Sequence, residues 1–299
     1  MTLLELSKLD GQGMIYNLDR LLKEGELYLL EIILDEFHFS TLWNGGIFIF
    51  IGFILIIYFL LLPQEKKHPI WKQTIFVIGM LAVFAALGSP INVIARIKFS
   101  THIIQLVLLL LIAPPLLILG FKNEITQRAK EIKLLHSILK ILTKPVIGLI
   151  LFFAIFYVYH IPAIFNFARL DLYINYFFMF ALLFAPILLW LPIISAINLT
   201  SKQKAVYIVL NIVLLLPASL ILFFHENSLY LVYSDVDLFL QSLEACIPNL
   251  DGIPPEIAES LLPFNPVQEQ VLGGIFLLVS QCIIFLFAVF IAPKYSKQD

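Results

Sequence analysis

Residues 102–120, HIIQLVLLLLIAPPLLILG, form an apolar run of membrane length that opens with His102 and Gln105 and carries Pro114-Pro115 in its interior. At about 1.5 Å per residue, a helix over this run spans roughly 28 Å, the hydrocarbon thickness of a bilayer. Neither proline can donate to the carbonyl four residues back. The acceptors of Leu110 and Leu111 are therefore released at mid-membrane, where they need a partner from a neighbouring helix or from water. A polar head above a proline-broken middle points to a site.

The whole chain repeats the message of that run. It is 61% hydrophobic and 13% charged, too apolar for a soluble domain of this length. Apolar windows at about 42–62, 71–90, 102–120, 145–165, 172–197, 205–224 and 269–292 predict an all-α polytopic membrane bundle of seven transmembrane helices. Lys and Arg set its orientation, because short cytoplasmic loops collect them. One side of this arrangement holds 13 of the 19, namely Lys66, Lys67, Lys72, Lys122, Arg128, Lys130, Lys133, Lys140, Lys144, Lys202, Lys204, Lys294 and Lys297; the other holds Lys8, Arg20, Lys23, Arg96, Lys98 and Arg169. The amino terminus is thus expected outside and the carboxyl terminus in the cytoplasm, as an odd number of spans requires. No cleavable signal is expected, since the start of the chain lacks a basic region followed by a short apolar core.

Three segments follow. Residues 1–40 read as an outer, acidic, amphipathic segment, residues 41–293 as the transmembrane domain, and 294–299 as a cytoplasmic tail. Within the domain, the outer connection 225–268 is acidic, rich in proline and expected to hold short helices, and 121–144 reads as a basic helix-like connection along the inner leaflet. Acidic outer surfaces repel nucleic acid and concentrate cations, and they equally follow from the charge rule alone. Cys246 and Cys282 lie at different depths, so no disulfide is expected.

In this topology the polar residues sort by depth. His102 and Gln105 head span three at the outer edge, His160 sits late in span four just before the helix-bending Pro162, and His225-Glu226 closes span six. Met179 lies about two turns below the outer start of span five, and Glu269 and Gln270 open span seven. An imidazole at the membrane edge can bind a metal through one nitrogen while the other is held by a carbonyl or carboxylate. His with Met favours copper, particularly its reduced form, and two His with a carboxylate equally suit zinc or iron. Each residue also has a structural reading: His102 with Gln105 as an interfacial hydrogen-bonding pair, Met179 as core, Glu269 as a favourable acid in a first helical turn. Gln281 at mid-span must face the bundle interior, where it is a candidate partner for a carbonyl released by the prolines. No diheme pair, phosphate loop, HExxH, CxxC or recognisable nucleophile is present.

The strings Ser89-Pro90-Ile91-Asn92-Val93, Phe99-Ser100-Thr101-His102-Ile103-Ile104-Gln105, Ala113-Pro114-Pro115-Leu116-Leu117-Ile118-Leu119-Gly120, Tyr159-His160-Ile161-Pro162, Trp190-Leu191-Pro192 and Gln268-Glu269-Gln270-Val271-Leu272-Gly273-Gly274 resemble, in that order, the CtaG-type cytochrome c oxidase assembly factors of bacteria. The resemblance covers roughly residues 40–293. It implies a multi-pass protein of the bacterial plasma membrane needed to form active cytochrome c oxidase, with a part in supplying copper and no catalysed reaction. Oxidase subunits or copper-carrier assembly proteins are the implied partners, beside the lipid bilayer. The chain departs from the family at Leu106, Asn175 and Met179, positions near which many members carry histidine.

Three functions fit these residues. In the first, His102 and His160, supported by Gln105, Glu269 and Gln270 and with Met179 as a further candidate ligand, handle copper at the outer face. In the second, the same residues are structural and the chain is a scaffold that docks oxidase subunits or other assembly proteins. In the third, the proline-broken span three and Gln281 serve a transporter of a small solute or metal. The first reading requires the His102 and His160 rings to lie within about 10 Å of each other, since a metal ligated by both sits about 2 Å from each nitrogen.

Overall fold

The computed structural model describes residues 39–62, 68–122, 131–194, 199–244 and 264–295, and they are all helix and connecting turns. Most of the amino-terminal segment, much of the acidic outer connection and the end of the carboxyl-terminal tail lie outside the described residues. Two units are distinguished, residues 1–43 and 44–299. In the first, α1 (Phe39–Leu42) is a single turn in which Phe39 stacks on Trp43 at 6.1 Å.

The second unit begins where Asn44 caps α2, its side-chain oxygen accepting from the Ile47 amide at 3.1 Å. Helix α2 (Gly45–Ile56) runs on through a π turn over Ile57–Leu61. Then follow α3 (Ile70–Gly88), α4 (Pro90–Ile97), α5 (Phe99–Gly120), α6 (Lys133–Leu142) and α7 (Pro145–Tyr159). After the break at His160 come α8 (Pro162–Leu170), α9 (Leu172–Ile194), α10 (Ser201–Phe224), a 3-10 turn over Leu231–Tyr233, α11 (Val236–Glu244) and α12 (Pro266–Tyr295). Proline opens α4, α7, α8 and α12, where its missing N–H costs nothing.

Among the described residues five helices, α3, α5, α9, α10 and α12, are long and apolar enough to cross a membrane, and α6 with α7, bent by 70°, makes a sixth if taken as one span. Helix α2 is apolar but shorter. Their outward faces are apolar as well: Phe177 and Phe287 are each more than 60% exposed. Contiguous exposed apolar surface on so many helices calls for lipid around it.

Helix α5 is the most enclosed of the five, with 56% of its apolar window buried. It packs against α3, α4, α9 and α12. Its prolines leave it continuous. A π turn over Leu108–Ile112 precedes them, the Ala113 amide reaching back to the Leu108 carbonyl, so the break expected from Pro114-Pro115 is a local rewinding. The released Leu110 carbonyl accepts from the Trp190 indole of α9 at 2.9 Å. Gln281, the partner that the sequence offers, is directed elsewhere: its amide nitrogen lies 3.5 Å from the Ser219 hydroxyl of α10. The indole is held flat against Phe285 of α12, with ring centroids 4.9 Å apart.

Both ends of α5 are fixed by close backbone approach and a hydrogen bond. At one, Gly120 comes so close to α3 that an added Cβ would stand 2.6 Å from the Phe76 amide nitrogen, and the Gly120 carbonyl accepts from the Tyr58 hydroxyl at 2.7 Å. At the other, Gly273 of α12 lies against Phe99 and Ile103, with room for no side chain: a Cβ would stand 2.9 Å from Ile103. This close approach brings Glu269 to the buried first-turn amide of Ser100, from which it accepts at 3.2 Å, capping the helix start. Replacing Trp190 by Phe preserves the stack on Phe285 but strands the Leu110 carbonyl. The expected cost is about 1–3 kcal/mol, read as a lower denaturation midpoint of the detergent-solubilised protein than for a Phe285→Leu control that keeps the indole donor.

Candidate functional site

The site begins with a proline. Helix α3 ends at Gly88, and its last carbonyls must find donors outside the helix. The Ala85 carbonyl accepts from the Ser89 hydroxyl at 2.5 Å, and the Gly88 carbonyl from the Asn44 amide at 3.0 Å. The Ala86 carbonyl would pair with residue 90, but Pro90 has no N–H. The Gln105 side chain of α5 takes that place, its Nε2 donating to the Ala86 carbonyl at 2.7 Å and to Asn92 Oδ1 at 2.9 Å.

Those two bonds orient the next group. A carbonyl only accepts, so the Gln105 nitrogen must face Ala86, and Gln105 Oε1 then faces His102 Nδ1 at 3.1 Å. An amide oxygen also only accepts, which makes Nδ1 the protonated nitrogen of the His102 ring and leaves the lone pair on Nε2. At the end of α7 the same result is reached by a shorter route. His160 Nδ1 sits 2.6 Å from the Phe156 carbonyl one turn back, so it too must donate, and its Nε2 carries the lone pair. Both Nε2 atoms are buried and neither has a hydrogen-bond partner. The ring centroids are 6.4 Å apart.

Aromatic rings enclose the pair. Phe165 of α8 stands edge-on to His102 at 5.3 Å, Phe156 lies 4.2 Å from His160, and Phe99 lies 6.0 Å from His102. Tyr159 is fully buried beside both, its ring 5.9 Å from His102 and 5.0 Å from His160, and its hydroxyl has no partner. Tyr230, outside the long helices, covers Phe99 and Phe165 and donates to the His160 carbonyl at 3.2 Å. Three neighbouring rings among these aromatics thus each carry an orphaned polar atom, a costly arrangement in a protein interior. Sequence reading misses Tyr159, because a tyrosine late in an apolar window looks like a membrane-interface aromatic. Its direct attachment to His160 is the available signal.

The remaining sequence candidates hold the box together. Glu269 is committed to the Ser100 amide and to Lys98 at 3.4 Å. Gln270 accepts from the Leu229 amide at 2.9 Å and donates to the carbonyls of Leu222, His225 and Asn227, fastening the turn after α10 to the head of α12. Pro162 opens α8 and so separates it from α7 at His160. Pro114 and Pro115 lie deeper in α5, beyond the π turn. Met179 is fully buried on α9, next to Phe178, whose ring lies 5.2 Å from that of Tyr159. Leu106, one turn on from His102, is fully buried, and Asn175 is buried with its side-chain oxygen unpartnered.

Two further residues, which the sequence presents as loop charges, are buried. Arg96 of α4 donates to the Arg169 carbonyl at 2.9 Å and to the Ser242 carbonyl at 2.6 Å. Arg169 of α8 donates to the Ala95 carbonyl and to the Tyr233 hydroxyl. Tyr233 itself donates to the Ala95 carbonyl at 2.7 Å, and burial pushes its hydroxyl above the ordinary phenol range, so it stays neutral. These bonds weld α4, α8 and α11 into a cap over the box.

Chemically, two buried imidazole lone pairs among aromatic rings suit a metal ion of the copper, zinc, iron or nickel type. The carbonyl-held Nδ1–H groups are the outer partners such ligands ordinarily have. Among the described residues no group of three or more His, Cys, Asp or Glu side chains is placed to hold a metal.

A family model described as the cytochrome c oxidase caa3 assembly factor (Caa3_CtaG) matches residues 53–293. No curated relative and no solved structure matches the chain.

The hydrogen-bond chain from Pro90 to His102 makes a spectroscopic prediction. In the wild-type protein the 15N resonances of His102 should report a single Nδ1–H tautomer. In a Gln105→Leu variant the Nδ1 and Nε2 shifts should move toward each other as the tautomers mix, and an unchanged pair of shifts would show that Gln105 does not set the ring.

Proposed function

We propose that this chain, which belongs to the family of cytochrome c oxidase caa3 assembly factors, handles copper for that oxidase at the outer face of a bacterial plasma membrane, with His102 and His160 taking the ion. The observation that carries this reading is the pair of imidazole rings 6.4 Å apart, each with a buried Nε2 that has no hydrogen-bond partner and each fixed by its other nitrogen. Imidazole is a good copper ligand, and a buried polar atom left without a partner calls for one. Gln105 orients His102. Glu269 and Gln270 hold the helix ends and turns around the pair.

In this reading the chain crosses the membrane seven times, through α2, α3, α5, the bent α6 and α7, α9, α10 and α12, with the amino terminus outside. The histidine pair then lies toward the outer end of α5, beneath the α4–α8–α11 cap, on the side on which copper carriers and the soluble parts of oxidase subunits meet the membrane. The partners are such subunits or a copper-carrying assembly protein. The chain transforms no substrate; it receives an ion and passes it on.

The test is genetic and analytical together. In a strain lacking the protein, the wild-type gene should restore oxidase activity and oxidase copper, whereas a His102→Ala, His160→Ala variant present at wild-type levels should restore about a tenth or less. Full restoration by the variant would contradict copper handling by the pair and favour the scaffold reading.

A further inference from the structure

We infer that α6 is a recognition surface for acidic phospholipid: it lies in the plane of the leaflet at the inner end of α7, its apolar face among the acyl chains and its lysines on the headgroup phosphates. In the topology proposed for the chain this leaflet is the cytoplasmic one. Helix α6 carries its side chains in two stripes. At about 100° per residue, Leu134, Ile138, Leu139, Ile141 and Leu142 share roughly 160° of its circumference, and Lys133, His136 and Lys140 lie within roughly 60° on the other side. Glu131 precedes the helix, no acid occurs between residues 132 and 144, and Lys144 adds a further cation at the bend before α7. The bundle leaves the apolar stripe uncovered. Leu134 is 73% and Ile141 54% exposed, and none of the described side chains of α6 is buried.

The geometry of α7 says what covers that stripe. Its 15 residues rise about 22 Å, roughly 8 Å less than a hydrocarbon core of about 30 Å. The bundle holds its inner end. Gly148 sits against α9, where an added Cβ would stand 2.6 Å from the Leu188 carbonyl oxygen, and the Tyr207 hydroxyl of α10 donates to the Pro145 carbonyl at 3.3 Å. From this fixed end α6 departs at 70°. A helix that meets a short span at such an angle lies close to the membrane plane, and a seat about 5–10 Å into the headgroup and acyl boundary supplies the length that α7 lacks. With the apolar stripe turned into hydrocarbon, the lysines reach the headgroup level on their own flexible stems. Their charge selects the lipid. Each lysine at an anionic surface strengthens attachment about fivefold, and a zwitterionic surface offers no such gain.

The experiment places the full chain in lipid nanodiscs, in a Cys246→Ser, Cys282→Ser background, with one spin label at Ile138→Cys or at His136→Cys. It reads collision with oxygen, which concentrates in hydrocarbon, and with a neutral nickel chelate, which stays in water. Discs of phosphatidylcholine alone are compared with discs that also hold phosphatidylglycerol. Oxygen should reach the label at position 138, and nickel the label at position 136. Nickel access to position 138 should fall by about twofold or more when phosphatidylglycerol is added, and Lys133→Gln, Lys140→Gln and Lys144→Gln together should remove that fall. Nickel reaching position 138 as freely as position 136 in both discs would overturn the membrane seat. A label at position 138 shielded from both reagents would overturn it as well and put α6 against protein. No fall, or a fall that survives the three substitutions, would overturn the selection of acidic lipid. None of these readouts depends on the histidine pair.

Discussion

The structure depends on what a membrane bundle does with a peptide carbonyl that a proline has released. In water such a group is solvated at no cost; in hydrocarbon it must be answered from within the protein. Helix α5 and its neighbours are joined by these answers. Trp190 reaches the Leu110 carbonyl across from α9, and Gln105 reaches the Ala86 carbonyl across from α5 to α3. Helix ends impose the same demand, met by Tyr58 at Gly120 and by Glu269 at Ser100. Each bond fixes a helix in rotation as well as in distance, which generic apolar packing in lipid does poorly.

From this scaffold the site follows with little added. Once Gln105 is committed to Ala86, its oxygen has one direction left, and that direction sets the His102 tautomer. The turn that ends α7 sets the His160 tautomer in the same way. Aromatic rings then complete an enclosure in which two lone pairs have nothing to meet. The buried Arg96 and Arg169 close the cap above by binding backbone carbonyls across three helices.

The helical, membrane-length character of the fold is open in the sequence, because an apolar window of about twenty residues suits little besides a membrane span. So is the need of Leu110 for a partner, since a proline inside a helix always implies one. The donor is not: Trp190 and Gln281 are equally available in one dimension, and only the packing of α9 on α5 decides between them. Nor does the sequence show that a π turn keeps α5 whole, because that depends on how α3 and α9 hold its flanks. His102 and His160 are visible as imidazoles near span ends, yet their approach to 6.4 Å comes with the break at His160 and with Phe165 of α8, whose ring contacts both, and these are tertiary facts. Arg96 and Arg169 mislead for a related reason. A charge near a span end reads as solvated, and only the cap reveals otherwise.

The central claim is that His102 and His160, each held through its Nδ1–H by a carbonyl oxygen, bind one copper ion through their free Nε2 atoms. X-ray absorption at the copper K-edge of the copper-loaded protein tests it most directly. The account predicts a first shell that contains nitrogen scatterers with the outer-shell signature of imidazole rings, absent from a His102→Ala, His160→Ala variant. A shell without imidazole, or one that both substitutions leave unchanged, would contradict it.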